Sequence, residues 1–255
     1  MMLGQADVAS SPARSPARST AKSTAKSTAR RHPAFFPAMS SLLVVLVFLG
    51  FAPTYYLRPV AAGPIPGYLH VHGAAMTTWF LLLLVQTALI ATRRRAVHRR
   101  LGVAGAIVAA VIVMLNPLVV AWSVPHLMAD NNSTQLTALI VVADLLVVGI
   151  FLVLVGLAIR WRRYPETHSR MLLLASLAVS GPALGRFAIS VTGTPLPGII
   201  ALMVLPLLVV VHDRVMMRRV HPASAWGAAA IIGSLVVSIA IANTAAGGAI
   251  VRWFL

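Results

Sequence analysis

Residues 68–100 read YLHVHGAAMTTWFLLLLVQTALIATRRRAVHRR. An uncharged stretch, 68–92, gives way to five arginines, Arg93, Arg94, Arg95, Arg99 and Arg100. A bilayer core is crossed by about 20 apolar residues of helix, so the first part has the length of a span. The arginines after it mark the side on which it stops, because basic residues accumulate on the cytoplasmic side of short loops. His70, His72 and Gln86 interrupt the apolar run and require a separate explanation.

The same pattern recurs. From Met39 onward seven apolar segments can be counted, at about 39–58, 68–92, 101–123, 136–161, 170–191, 196–216 and 224–246. Arg160, Arg162, Arg163 and Arg170 lie in the connection after the fourth, and Arg214, Arg218 and Arg219 follow the sixth. The alternate loops hold only Arg58, and Arg252 lies at the C-terminal end. This alternation predicts an all-α polytopic helical bundle of about seven spans, N-terminus inside and C-terminus outside, in the cell's inner (plasma) membrane. Composition agrees. The 255 residues are 59% hydrophobic and 10% charged, with a mean hydropathy of +0.88, whereas soluble domains carry about 25% charged residues. The net charge of +16 reads as topology rather than nucleic-acid binding.

Residues 1–38 differ from the remainder. SPARSPARSTAKSTAKSTARR, 11–31, repeats Ser-(Pro/Thr)-Ala-(Arg/Lys) and has too little apolar surface to fold. It is expected to be a disordered basic tail that, with the inner loops, attracts anionic lipids, each basic residue contributing about 1 kcal/mol. A natural start at Met39 is an alternative. The inner stretches RRAVHRRLG, RRYPETHSRM and RRVHPASAW each place basic residues and a histidine before the next helix, which suggests related helical hairpins.

Charged and strongly polar groups are costly in hydrocarbon, so those inside spans are candidate site residues. At about 1.5 Å per residue, His72, Asn116, Asp144 and Arg186 all fall in the outer half. Asp144 and Arg186 have similar depth and opposite charge and are expected to pair. Together the four are expected to line an outward-facing ligand or proton site. His72 shares a helix face with Met76, Trp79, Leu83 and Gln86, whereas His70 points the other way and suits the interface, as do Tyr55 and Tyr56. Gln86 and Asn116 also suit interhelical hydrogen bonding. Asp213, beside His212 at the inner end of its helix, is expected to reach water.

Absences narrow the chemistry. There is no cysteine, hence no disulfide, thiolate metal site or cysteine nucleophile. No Walker loop, dinucleotide fingerprint, His-Glu-x-x-His or Gly-x-Ser-x-Gly is present. With five acidic residues, paired-carboxylate catalysis is disfavoured and no metal site is expected.

The segments LHVHGAAMTTWFLLLLVQ, HRRLG, HSRMLLLA, PALGR around Arg186 and HPASAWG resemble a group of uncharacterised bacterial multi-pass inner-membrane proteins with His-x-His-Gly and His-Arg-x-Leu-Gly signatures. The resemblance covers most of residues 50–230 and implies topology rather than an activity. HRRLG at a helix start also resembles sequences in membrane haem proteins. Two functions follow as expectations. One is small-solute or proton transport or sensing at the outer polar site. The other is b-type haem or quinone-linked electron transfer, or a role as a respiratory-complex accessory, with His72, His98, His168 and His221 as candidate haem ligands.

Overall fold

The computed structural model describes residues 34–59, 63–130 and 132–255. Most of the basic tail lies outside them. The nine α-helices among the described residues are α1 Phe35–Phe51, α2 Gly67–Ala91, α3 Arg95–Ala129, α4 Thr134–Arg160, α5 Pro165–Ala178, α6 Gly181–Thr192, α7 Leu196–Met217, α8 Pro222–Ala242 and α9 Ala245–Trp253. Six are long and apolar enough to cross a membrane, and α5 with α6 makes a seventh span if the bent pair counts as one. The chain is an all-α, multi-pass bundle.

Boundaries follow local chemistry. Ser133 caps α4 by accepting a hydrogen bond from the Leu136 amide at 3.1 Å. Gly193, at φ 74°, ends α6 in the left-handed conformation. Pro182 has no N–H to offer the Ala178 carbonyl, and the helix breaks there, with a 48° bend between α5 and α6. The expected fifth segment, 170–191, is therefore two helices, and its first begins earlier, at Pro165. Pro53 lies in a π-helical turn over Ala52–Tyr56 that continues α1. Two further boundaries move. The helix expected from residue 39 begins at Phe35, within the predicted tail. The segment expected to stop near 123 continues to Ala129.

Seven helices form a closed wall, each against the next: α1, α2, α3, α4, α8, α7, α6 and back to α1. The axial position is taken by α5, which packs on α1, α2, α4, α7 and α8. All of Arg170, Met171 and Leu173–Ala178 on this helix are buried. At the bend the chain leaves the axis, and α6 enters the wall between α1 and α7. Two glycines permit that fit. A Cβ on Gly50 of α1 would overlap the Ala183 carbonyl oxygen, and one on Gly198 of α7 would lie 2.5 Å from that of Leu184. The axis is thus occupied by α5 as far as the bend, and α6 continues in the wall.

The surface is as apolar as the interior. Val45, Val103, Ile107, Met114, Leu152 and Val153 are each more than half exposed, whereas Ser40, Thr137, Ser176, Ser180, Ser224 and Ser238 have no exposed surface. Lipid tails solvate the outer face as well as another helix does, so small residues and internal hydrogen bonds hold such a bundle together.

At the C-terminus, α9 folds back from α8 against α4, and Val251 joins Val120, Val124, Ala138 and Val141 in a satellite core. The seven-segment reading does not include this helix.

Candidate functional site

The face of α2 that carries His72 turns inward as expected. Trp79 and Leu83 are buried, and Trp79 Nε1 donates to Ser176 Oγ at 3.0 Å, tying α2 to the axial helix. Gln86 Nε2 donates to the His98 carbonyl at 3.2 Å, which is the interhelical hydrogen bond expected of it. Tyr55 donates to the His70 carbonyl at 3.3 Å, and Tyr56 and Thr77 hydroxyls lie 2.6 Å apart. These clamp the end of α1 to the start of α2.

The four outer candidates share one property: no side chain of His72, Asn116, Asp144 or Arg186 makes a hydrogen bond among the described residues. His72 Nδ1 is buried without a partner. Asn116 is 4% exposed and about 20 Å along α3 from Ala129, deeper than the sequence suggests because α3 is longer. Asp144 and Arg186 face each other closely enough for their charges to interact, but no ion pair within 4.0 Å joins them. The expected direct pair is therefore corrected to two separated charges. Arg186 instead lies over the Phe51 ring, 4.9 Å from its centroid.

Arg186 is exposed and Asp144 is half-buried. The structure brings together the charges of Asp144 and Arg186; it shows no contact of His72 or Asn116 with them.

A second polar cluster, not read from the sequence as a site, closes the opposite end. Arg170 of α5 reaches Asp213 of α7 through Nη2 and Nε, at 2.6 Å and 3.0 Å from Oδ1 and with Nε 3.1 Å from Oδ2. Ser224 of α8 donates to Asp213 Oδ2 at 2.5 Å, and the His221 amide lies 3.3 Å from the same oxygen. Arg170 Nη1 donates to the Glu166 carbonyl at 2.8 Å. Asp213 has no accessible surface and Arg170 only 4%. Asp213 therefore does not reach water, contrary to expectation: α8 and the arginine cover it. From α1, Phe36 lies 5.9 Å from the Arg170 guanidinium, and Phe35 stacks on His212 at 3.9 Å.

Of the inner histidines, His98 and His168 meet, their ring centroids 6.2 Å apart and their planes at 86°. His168 Nδ1 is 2.9 Å from the Ala158 carbonyl, and His98 Nδ1 is buried without a partner. His221 caps α8, its Nδ1 accepting from the Ala223 amide at 3.1 Å, and its Nε2 is 3.4 Å from Thr167 Oγ1. Burial, then the Arg170 charge, holds the His221 ring below the ordinary imidazole range. Among the described residues no group of three or more metal-ligating side chains forms.

Comparison with protein-family models, with curated proteins and with solved structures gives no match.

Proposed function

We propose that this membrane protein binds a small polar solute or protons at a site in the outer half of the bundle, for transport or sensing. Arg186 attracts the anionic part of the ligand, and Asp144 acts as counter-charge or proton carrier. The observation that carries this reading is the separated charge pair: opposite charges within the spans, Arg186 exposed and Asp144 half-buried, coupled but not in contact, with neither side chain hydrogen-bonded among the described residues. A charge within a span is costly without a partner, so water or a ligand is the partner that fits between them. His72 and Asn116 are further polar groups without side-chain partners among the described residues, but outside contact with this pair. We assign the protein to the plasma membrane on its charge asymmetry, with its arginine-rich face toward the anionic leaflet.

The test uses purified protein in detergent and in proteoliposomes. Chloride, acetate and phosphate are screened for a rise in Tm, and proton flux is followed with a pH-sensitive dye under an imposed gradient. At least one ligand is expected to stabilise the wild type and not Arg186→Gln, by about 2.7 kcal/mol at a hundredfold excess over Kd. Asp144→Asn is expected to abolish proton-coupled flux while inserting normally. Equal loss of folding in both variants would show that the pair is only structural.

A second reading rests on the meeting of His98 and His168. These two rings, one with Nδ1 buried without a partner, are the residues that would hold a haem iron if the protein binds one. The Ala158 carbonyl would fix the His168 ring as a ligand's partner commonly does. His72 is at the other end of the bundle, and His221 uses Nδ1 for its helix cap, with Nε2 3.4 Å from Thr167 Oγ1. Bound haem b would supply one-electron transfer. Oxidised and dithionite-reduced spectra of protein expressed with haem test this: a Soret band lost in His168→Ala supports it, and a featureless spectrum from folded protein sets it aside.

A further inference from the structure

The outer and inner halves of the bundle are built differently, and the difference has a direction. At the outer end α6 leaves the axis at the 48° bend. At the inner end four helices close over one ion pair. Arg170 comes from the axial helix, Asp213 from α7 and Ser224 from α8, and Phe35 and Phe36 of α1 lie over the cluster. The carboxylate accepts from two guanidinium nitrogens, a hydroxyl and a backbone amide.

We infer that Arg170, Asp213 and Ser224 form a releasable latch that seals the arginine-rich, inner face of the bundle. The latch joins side chains from three separate helices, so opening it frees α5 from α7 and α8 together. Its alternative state is also chemically reasonable. Arg170 is at the first turns of α5 beside the exposed Glu166, and Asp213 is in the last two turns of α7. Both groups are near the inner interface, where water can replace their partners once the helices part. A buried pair in mid-membrane has no such release. Two groups that hydrate on separation are suited to a bistable contact. What the latch admits depends on the solute-binding reading above; that it controls access from the inner side does not.

The chain has no cysteine, so one introduced thiol reports access without background. Ser176→Cys places it on buried α5, about 9 Å along the helix from Arg170. Vesicles with the arginine-rich face outward are treated with a membrane-impermeant maleimide. With the latch intact, labelling is slow. Asp213→Asn is expected to accelerate it by about tenfold or more, as loss of a buried charge partner shifts the equilibrium. Ser224→Ala, which removes one hydrogen bond, is expected to accelerate it about two- to threefold. Unchanged labelling in folded Asp213→Asn would overturn the latch. Failure of Asp213→Asn to fold, with unchanged labelling in Ser224→Ala, would also overturn it and make the cluster a fixed brace. Labelling needs no solute. Fast labelling without flux would leave the latch and remove the transport reading; flux with unchanged labelling would remove the latch alone.

Discussion

Asp213 shows how far a residue's meaning depends on its neighbours. It is one of five acidic residues in the chain, next to a histidine near a helix end, and reads as a solvated group. Arg170 and Ser224 make it a buried acceptor instead. His221 beside it gives a prediction at this scale. Its ring is neutral in the fold because burial and Arg170 disfavour the charged form, and Nδ1 must stay unprotonated to accept from Ala223. The unfolded chain therefore binds more protons, and stability rises with pH through this window. The contribution is present above the unfolded imidazole value of about 6.5 and is lost as pH falls toward the lower folded value. Thermal unfolding in detergent from pH 8 to pH 5 is expected to show a falling Tm, and His221→Asn, which retains a capping side chain, to flatten that fall.

The informative element is the broken pair α5–α6. Proline at 182 marks the break, and a kink at that position is legible from the sequence. The direction in which the second half turns is not, because it is set by the walls that receive it. Gly50 and Gly198 present bare backbone to the carbonyls of Ala183 and Leu184, and this close approach fixes α6 between α1 and α7. Gly50→Ala is expected to destabilise the protein by about 1–3 kcal/mol, the usual effect of overpacking a filled interface, read as a lower Tm in detergent. Gly105→Ala, where an added Cβ meets nothing within 4 Å, is the control. It is expected to be neutral or slightly stabilising, since alanine is the better helix former. Equal effects at both positions would show that the α1–α6 approach is not tight.

For the whole molecule, arginine distribution and helix arrangement concern different properties. The basic clusters predict the inner side by electrostatics with the membrane; the closed wall around α5 decides which polar groups that end of the bundle can reach. α5 occupies the axis as far as the bend, and α6 continues in the wall beyond it. The latch and the site consequently lie at opposite ends of a single bent span, Pro165–Thr192, so movement of that span would act on both.

The sequence by itself determined the all-α membrane bundle and the inward face of α2. Those follow from hydropathy and from the 3.6-residue period, which are local quantities. It also indicated Asp144 and Arg186 as charges within spans, since each is identified by the apolar residues around it. Tertiary structure alone decided that these two stand apart, that Arg170 and Asp213 are joined across 43 positions, that His98 meets His168, and that α9 folds back on α4. Each of these depends on which helices become neighbours and on how a bend is received. Those outcomes come from packing between distant segments, where a hydrogen bond or a missing Cβ matters more than the average polarity of a stretch.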